Sequence, residues 1–352
     1  MTLPVPRCEP LGGCPVCGST GSRERFSSPD LLLSVPGVFR YVECDACRTV
    51  FQNPRVRDED LASCYPVDYY THGGSLWTPN PPPVGSLRDR LRRAIRAAAD
   101  GMPDEHLSPG LRLAGRLLAL YPGLRRRARL GLVDGLELPP GSHGRCLEVG
   151  PGQGVDLFCL RTLGWEAHGL EVDPLAAERA RVTSGCEVRV GTLAFTDYTP
   201  GSFDLVYMSH VLEHMPQPLP ALVRCLEMLA PGGRVVLVHP NPAALTVRLF
   251  GLFSCVFEPP RHLILPPVRA TASLLERAGF SEVRATTSAR HAATYMSASR
   301  TQRAGAEWSW SRPRPPTLGD RLLGAVEGAL AALGLPVGEE IVVRARKPRA
   351  AP

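Results

Sequence analysis

Apolar runs and amphipathic stretches alternate along the second half of this 352-residue chain. The apolar runs from residue 141 onward predict strands, at 145–149, 166–171, 187–190, 203–208, 234–239, 281–287 and 340–346. The segments between them predict helices, among them 155–163, 174–184, 217–229 and 270–278. This alternation predicts an α/β domain over 141–352, with a parallel sheet covered by helices on both faces. Ligands of such sheets bind beyond the carboxyl ends of the strands, so residues there are candidates for the chemistry.

The segment 73–140 has a different composition from the domain that follows it. Residues 72–86 are rich in Gly and Pro and predict a linker. Apolar residues recur at helical spacing after this linker and predict helices over 87–99 and 111–121. Between residues 88 and 129, eleven arginines stand against four acidic residues. A solvated helix face is one interpretation of this cluster, and a patch that attracts a phosphorylated or nucleotide-linked substrate, or RNA, is the other.

The first 72 residues contain two Cys-x-x-Cys pairs separated by 26 residues, Cys14 with Cys17 and Cys44 with Cys47. Four thiolates in two such pairs can complete a tetrahedral zinc shell, whereas four unrelated thiols would not need this spacing. We therefore predict a zinc-ribbon domain over 1–72 with a structural Zn²⁺. A shell of four thiolates leaves no open position, so this zinc is expected to serve folding rather than catalysis.

A glycine-rich turn follows the first strand of the α/β domain, with Gly150, Gly152 and Gly154. Glycines here predict a sharp turn into a helix where a ligand approaches the backbone. A dinucleotide fingerprint would place its third glycine at position 155, where this chain has Val. Glu148, just before the turn, favours a cation such as an ammonium group, and Glu171, at the end of the next strand, suits ribose hydroxyls. S-adenosylmethionine, a nucleoside joined to an amino acid, meets both requirements.

These motifs and the ones that follow them stand in an order that resembles the class I S-adenosylmethionine-dependent methyltransferases. The resemblance covers about residues 145–347 and rests on six segments, Glu148–Gly154, Gly169–Pro174, Gly191–Leu193, Ser202–His214, Leu229–Gly233 and Ala278–Phe280. It implies a Rossmann-like seven-stranded sheet whose last inserted strand, 340–346, is antiparallel, with S-adenosylmethionine as the cofactor. Residues 50–54 and 64–70 also resemble a segment that precedes methyltransferase domains in cell-envelope glycan or secondary-metabolite pathways.

The resemblance implies a role for each residue along the cofactor. Glu148, Gly150, Gly152 and Gly154 are expected to hold the methionine part, and Glu171 the ribose hydroxyls. Val172 is expected to flank the adenine, while Thr192 and Leu193 contact its amino group and ring. Ser209 and His210, after the fourth strand, are expected to face the sulfonium end.

Methyl transfer to oxygen usually needs a base that takes the hydroxyl proton, and histidine is suited to this near neutral pH. We select His210, His262 and His214 as candidate bases; His239, at the end of the fifth strand, is a further candidate. A hydrogen-bonded scaffold histidine is the alternative interpretation for each. The run from His210 to His214 also fits an inverted zinc-protease motif, which we reject because it follows a buried strand as a short turn. Some phenol O-methyltransferases bind a divalent cation here, but His210 replaces one of their glutamates, so we include no second metal.

Composition adds limits on location and partners. The first 13 residues have no apolar core of a secretory signal, and no window of ~18 residues is free of charge, so no membrane span is expected. Eleven cysteines, several inside predicted core elements, suggest a reducing compartment, and we predict a cytoplasmic enzyme. The segment 288–338, with Trp308, Trp310 and a predicted helix over 318–333, is expected to cap the substrate site or to form an oligomer contact.

The predicted function is methylation of a small-molecule biosynthetic intermediate, most simply at oxygen. The alternatives are C- or N-methylation of a nucleotide-linked sugar and, less favoured, ribosomal RNA methylation. A nucleic-acid partner is disfavoured because the arginine cluster has no interleaved aromatic residues before Tyr121. The acceptor molecule and the oligomeric state stay open at this point.

Overall fold

The computed structural model describes residues 4–65, 69, 87–100, 104, 107–129, 133, 135–136, 143–310 and 312–349. The predicted linker over 72–86 lies outside them. The strands are β1 (Cys8–Glu9), β2 (Ser22–Ser28), β3 (Phe39–Cys44), β4 (Val50–Gln52), β5 (Arg55–Val56), β6 (Arg145–Val149), β7 (Glu166–Glu171), β8 (Glu187–Val190), β9 (Phe203–Ser209), β10 (Leu229–Pro240), β11 (Ile264–Leu265), β12 (Ser281–Ser288) and β13 (Glu340–Arg346). The α-helices are α1 (Leu87–Asp100), α2 (Pro109–Leu118), α3 (Pro122–Arg129), α4 (Val155–Thr162), α5 (Pro174–Ser184), α6 (Pro218–Met228), α7 (Leu245–Phe250), α8 (Val268–Arg277), α9 (Ala292–Arg303) and α10 (Leu318–Ala332).

The largest sheet has seven strands in the order β12-β13-β10-β9-β6-β7-β8. Strand β6 pairs in parallel with β7, and β7 with β8, whereas β13 is antiparallel to both of its neighbours, β10 and β12. This is the predicted α/β fold class, with the last strand inserted antiparallel. Strand β10 begins five residues before its prediction, because backbone bonds between residues 232–233 and Lys347 extend its ladder with β13.

Local signals in the sequence explain where the helices begin and end. In α5, Asp173 accepts a hydrogen bond from the Ala176 amide, Pro174 occupies the first turn, and Gly185 ends the helix in the left-handed region. In α10, Thr317 and Asp320 form a reciprocal capping box. Among the described residues, no helix is long and apolar enough to cross a membrane.

The chain divides into two compact units. One unit comprises Met1–Gly74, Thr199–Gly201 and Met208–Pro352, and the other comprises Ser75–Tyr198 and Ser202–Tyr207. We call them the ribbon unit and the glycine-turn unit. The predicted division into 1–72, 73–140 and 141–352 stays a prediction.

The ribbon unit contains a four-stranded sheet that combines distant parts of the sequence. Its order is β11-β4-β3-β2, so a strand from 264–265 completes the sheet of the cysteine-rich segment. One apolar core lies beneath it, formed from residues before position 66 and after position 243, including Phe39, Tyr41, Val247, Phe257 and Trp308. Within this unit the cysteine-rich segment is therefore packed as one body with α7, α9 and the loops around them.

Candidate functional site

The glycine-rich turn lies between β6 and α4 in the glycine-turn unit. Gly150, Gly152 and Gly154 all have positive φ, at 68°, 52° and 78°, a region that L-residues with a Cβ avoid. A Cβ on Gly154 would lie 2.7 Å from backbone atoms of Ala180 in α5. The predicted need for glycine is therefore conformational at all three positions and also steric at Gly154.

Glu171 is hydrogen-bonded to this turn in the structure. Its Oε2 accepts a hydrogen bond from the Gly152 amide at 3.0 Å, and its Oε1 accepts from the amides of Val172 and Asp173 at 2.9 and 3.2 Å. A carboxylate offers about four acceptor positions, so both ribose hydroxyls could bind only if a backbone bond is exchanged. Burial raises the pKa of Glu171, although these three amide bonds oppose the shift.

Glu148 is a buried carboxylate that fits a cationic ligand. It is 3% exposed, and its Oε2 has no hydrogen-bond partner among the described residues. Burial, reinforced by the nearby charges of Asp156 and Glu171, raises the pKa of Glu148 well above its ordinary value. A cation would relieve this repulsion and supply the missing partner. The ammonium and sulfonium groups of S-adenosylmethionine are cations of this kind.

The residues expected around the adenine follow two adjacent strands of the sheet. Val172 comes directly after β7 and is 68% exposed. Thr192 and Leu193 come after β8; Thr192 is exposed, whereas Leu193 is buried. Phe195, which the sequence analysis missed, lies two residues further on and is 88% exposed. The sequence signal that could have identified it is a large apolar residue shortly after the predicted strand 187–190, and its exposure in the structure supports a role in ligand contact.

The four predicted zinc ligands come together in the ribbon unit. The Sγ atoms of Cys14 and Cys47 are 3.6 Å apart, those of Cys17 and Cys44 are 3.5 Å apart, and all four lie within 4.8 Å of one another. A zinc ion bound tetrahedrally at about 2.3 Å holds neighbouring sulfurs roughly 3.8 Å apart. The sulfurs are too far apart for disulfides, and their arrangement suits a zinc shell.

The two cysteine pairs sit in equivalent backbone turns. The Gly18 amide donates to the Cys14 carbonyl at 2.8 Å, and the Arg48 amide donates to the Cys44 carbonyl at 3.0 Å. Both Gly18 and Arg48 adopt the left-handed region, with φ of 81° and 64°. The sequence indicates this turn only in the first pair, because arginine is not a residue that marks positive φ.

His210 directly follows β9 and lies between two buried carboxylates of the ribbon unit. Its Nε2 lies 3.1 Å from Glu340 and its Nδ1 lies 3.4 Å from Glu213. Burial would lower the pKa of His210, but contact with Glu213 and Glu340 outweighs it and raises that pKa well above the ordinary value. An imidazolium has no lone pair, so this ring is suited to donate hydrogen bonds rather than to accept a proton as the predicted base. Ser209 precedes it and is half-buried.

His214 and His262 favour the neutral form of the ring, unlike His210. Burial lowers the pKa of each ring to about 4, so both are neutral at neutral pH. Nδ1 of His214 lies 3.0 Å from the Arg261 carbonyl, and Nδ1 of His262 lies 2.8 Å from the Val256 carbonyl. A carbonyl only accepts, so each Nδ1 carries the proton and each Nε2 keeps its lone pair. These two histidines therefore have the form of proton acceptors.

Glu213 lies at the centre of this group of histidines. Ligand atoms of Glu213, His214 and His262 lie within 4.8 Å of one another, and we call these three residues the Glu213 cluster. Neither carboxylate oxygen of Glu213 has a hydrogen-bond partner among the described residues. Burial by itself would raise the pKa of Glu213, yet contact with His210 and the positive charges that His214 and His262 acquire below about pH 4 hold that pKa at about 2. A buried anion of this kind stabilises a positive charge placed beside it.

The remaining candidate, His239, has the contacts of a scaffold residue. It is fully buried, with Nδ1 3.1 Å from the Pro240 carbonyl and Nε2 3.1 Å from the Thr271 hydroxyl. Both ring nitrogens are therefore engaged. Residues 212–214 form one turn of 3₁₀-helix rather than the extended helix of a zinc protease, in agreement with the rejection of that motif.

Part of the chain is similar to known methyltransferases. A family described as a methyltransferase domain matches residues 123–285, a little under half of the chain. A ubiquinone biosynthesis O-methyltransferase of Xanthomonas euvesicatoria is 31% identical over 115 residues, which are 30% of this chain and 48% of that protein. The protein of the same name from Paracidovorax citrulli is 29% identical over 159 residues, 41% of this chain and 66% of its own. The chain thus spans about half to two thirds of the length of these curated relatives.

The solved structures that resemble this chain also include methyltransferases. A methyltransferase of Thermotoga maritima, described as a possible histamine N-methyltransferase, is 22% identical with a TM-score of 0.42, covering 62% of this chain and 87% of its own. Phosphoethanolamine N-methyltransferase 2 of Haemonchus contortus is 15% identical with a TM-score of 0.45, covering 85% and 63%. Residues 123–285 therefore match a methyltransferase-domain family, and the chain has the seven-stranded sheet expected for the S-adenosylmethionine-dependent class.

Proposed function

We propose that the protein transfers the methyl group of S-adenosylmethionine to a hydroxyl oxygen of a small-molecule biosynthetic intermediate. The observation that carries this proposal is the buried Glu148 carboxylate next to the turn of three glycines. Its Oε2 has no hydrogen-bond partner among the described residues. This combination suits a ligand that is cationic and needs close backbone approach. The names of the curated relatives, ubiquinone biosynthesis O-methyltransferases, support an oxygen acceptor.

In the donor half, each residue would act on a different part of S-adenosylmethionine. Glu148 would pair with the cationic methionine part, and Gly150, Gly152 and Gly154 would let the backbone approach it. Glu171 would exchange a backbone bond for the ribose, and Val172 would flank the adenine beside Thr192 and Leu193, with Phe195 as a further apolar contact. The bound donor supplies a methyl group on a sulfonium that is already activated for displacement.

In the acceptor half, the Glu213 cluster would manage the proton. A lone pair on Nε2 of His262 or His214 would take the hydroxyl proton as the acceptor oxygen attacks the methyl carbon. Nε2 of His262 lies 3.9 Å from Glu213, so an imidazolium formed there would gain the neighbouring anion's stabilisation. His210, held as an imidazolium by Glu213 and Glu340, would contribute its positive charge rather than a hydrogen bond, because its two N–H groups already face those carboxylates. Positioning of the acceptor would supply much of the remaining rate.

We also propose that Cys14, Cys17, Cys44 and Cys47 bind one structural Zn²⁺. The mutual approach of the four sulfurs supports this role, and a closed thiolate shell gives the ion no open position for chemistry. The zinc would stabilise the turn before β2 and the turn after β3. Acceptor chemistry in this unit would therefore depend on zinc only through folding.

Calorimetric titration with S-adenosylmethionine and S-adenosylhomocysteine tests the donor half. We expect micromolar binding that weakens by more than ~1 kcal/mol in Glu171→Ala, because hydrogen bonds to a charged group are worth about 1.5–3 kcal/mol. Glu166→Gln is the matched control, since Glu166 is an exposed carboxylate on the same strand. Unchanged affinity in Glu171→Ala would contradict the assigned cofactor site.

Transfer of a labelled methyl group to a panel of acceptors tests the acceptor half. We expect phenolic or alcoholic acceptors to be labelled and His262→Ala to reduce turnover without changing affinity for the donor. Labelling at carbon or nitrogen of nucleotide-linked sugars instead would contradict the oxygen assignment while keeping the donor site. Preferential labelling of RNA would contradict the small-molecule class.

A further inference from the structure

The buried side chain of Arg261 connects the segment before residue 66 to the Glu213 cluster. Arg261 is 0% exposed, and its guanidinium donates to both carboxylate oxygens of Asp30 at 2.8 Å, to Glu258 at 2.6 Å and to the Cys64 carbonyl at 3.2 Å. Asp30 itself is buried and also accepts the amides of residues 32, 33 and 35. The fork of Arg261 is thus fixed at both ends in one orientation.

The backbone of the same residue orients a histidine of the cluster. The Arg261 carbonyl accepts the hydrogen bond from Nδ1 of His214, and the Tyr65 hydroxyl lies 3.0 Å from the same Nδ1. The carbonyl only accepts, so it selects the tautomer in which Nδ1 carries the proton and Nε2 carries the lone pair, and the Tyr65 hydroxyl can accept from the same N–H. An anchored Arg261 therefore decides which nitrogen of His214 is able to accept a proton.

The residues that follow Arg261 are also held by the segment before residue 66. The Tyr41 hydroxyl donates to the His262 carbonyl at 2.8 Å, and the backbone N–H of Gln52 donates to the Leu263 carbonyl at 2.9 Å. Strand β4 then pairs with β11. The loop 258–263 is consequently fixed by residues that are more than 190 positions earlier in the sequence, and it carries one histidine of the cluster while orienting the other.

We propose that Arg261 and Asp30 are positioning residues for His214 and that the zinc-ribbon segment is part of the acceptor-side machinery. This inference rests on the proposed role of the Glu213 cluster in proton transfer. Neither residue need touch the acceptor. Their effect passes through the Arg261 carbonyl to the tautomer of His214, so a change at Asp30 alters turnover while leaving the glycine turn intact.

The test combines nitrogen NMR of the histidine rings with kinetics on the full chain. In the wild-type protein we expect the His214 signals of a ring protonated at Nδ1, assigned by their loss in His214→Gln. In Asp30→Asn we expect mixed tautomers and a fall of about tenfold or more in kcat/KM for the acceptor, with affinity for S-adenosylmethionine within twofold of wild type. Glu24→Gln, which changes an exposed carboxylate paired with Arg40 in the same sheet, should match wild type in every measurement.

The outcomes separate this inference from the proposed function. A wild-type His214 protonated at Nε2 would overturn the positioning role, as would a folded Asp30→Asn with unchanged tautomer and turnover. If no acceptor is methylated but the tautomer depends on Asp30, the proposed function fails and the positioning role stands. If Asp30→Asn does not fold, the wild-type tautomer decides the question, with protonation at Nδ1 supporting the role and protonation at Nε2 overturning it.

Discussion

The hydroxyl of Tyr65 lies 3.0 Å from Nδ1 of His214, 149 positions further along the chain. Their rings also meet edge to face, with centroids 6.0 Å apart. Because the Arg261 carbonyl already requires a proton on Nδ1, the Tyr65 oxygen is a second acceptor for that proton. A tyrosine at the end of the cysteine-rich segment thus helps to orient a histidine that we propose for proton transfer.

Tyr65→Phe removes this second acceptor and keeps the aromatic ring. One hydrogen bond is worth about 0.5–1.5 kcal/mol, so we expect acceptor turnover to fall by roughly two- to tenfold. Affinity for S-adenosylmethionine should not change, since the expected donor residues from Glu148 to Leu193 belong to the glycine-turn unit. Steady-state kinetics with titration of the donor checks both expectations. If Tyr65→Phe lost donor affinity by as large a factor as turnover, the substitution would have a general structural effect instead.

Gly154→Ala should damage the glycine turn for two separable reasons. Its φ of 78° is a strained region for alanine, and the new Cβ would lie 2.7 Å from the Ala180 backbone. Gly164→Ala is the matched control, because Gly164 has a φ of 94° but open space around it. We expect about 1–2 kcal/mol of destabilisation from the backbone strain in both variants and about 1–3 kcal/mol more in Gly154→Ala from the clash.

Urea unfolding of the two glycine variants measures this difference, and titration with S-adenosylmethionine shows its consequence for binding. Only Gly154→Ala should lose affinity for the donor. If both variants unfold at the same urea concentration, the close approach to α5 does not determine the choice of glycine at this position.

The fold could be predicted from the sequence where the signal is local. Apart from β11, which was not predicted, the strands from Arg145 to Arg346 follow the predicted runs, since each run is short and bounded by turn residues. Helix α9 could not be predicted in this way. Its Ser297, Ser299 and Thr301 are buried beside apolar residues, so polar positions along the helix do not mark a solvent-facing side and the pattern has no clear helical period.

The candidate site was predictable to the same extent. The glycine turn and the cysteine pairs are compact motifs whose spacing carries the chemistry. The contacts of His210 with Glu340 and of Asp30 with Arg261 join residues 130 and 231 positions apart, and no local pattern contains them. The sequence could therefore name candidate histidines but not their protonation, which depends on such distant partners.

Binding of S-adenosylmethionine should release protons from Glu148. Burial and the charges of Asp156 and Glu171 raise the pKa of this carboxyl in the free protein, and a bound cation would lower it. The ligand therefore prefers the ionised form, and affinity should increase as pH rises through the pKa of the free protein. Calorimetry in two buffers with different ionisation enthalpies measures the released protons directly. Glu148→Gln should bind S-adenosylmethionine more weakly and release fewer protons on binding. If the variant releases as many protons as wild type, the released protons come from another group.

Metal analysis of the purified protein should find one zinc per chain. Cys17→Ser should lose it and unfold at lower urea concentration, because structural zinc contributes directly to folding. Cys8→Ser is the matched control, since Cys8 is exposed and stands outside the group of four sulfurs. Less than near-stoichiometric zinc in wild type would contradict the ribbon site. A second equivalent that His262→Ala removes would instead assign the Glu213 cluster to a metal, which the sequence analysis left out.

Stability should fall between neutral and alkaline pH because of two buried carboxyl groups of the ribbon unit. Burial raises the pKa of Glu327 to about 7 and that of Glu339 to about 9, and each has an oxygen without a hydrogen-bond partner among the described residues. In the unfolded chain both titrate near pH 4.3. From there up to about pH 9 the folded state binds more protons, so raising the pH through this window favours unfolding, by at most about 1.4 kcal/mol per pH unit for each extra proton.

The free energy of unfolding in urea at pH 6, 7.5 and 9 tests this dependence. Glu327→Gln keeps the shape of the side chain and cannot ionise, so we expect its stability to decline less steeply than that of wild type. Glu276→Gln, at a position that is exposed in α8 of the same unit, should leave the wild-type slope unchanged. A wild-type stability that stays level or rises from pH 6 to pH 9 would show that these two carboxyl groups are ionised in the folded protein. In that case a partner for their charge must exist that the described contacts do not include.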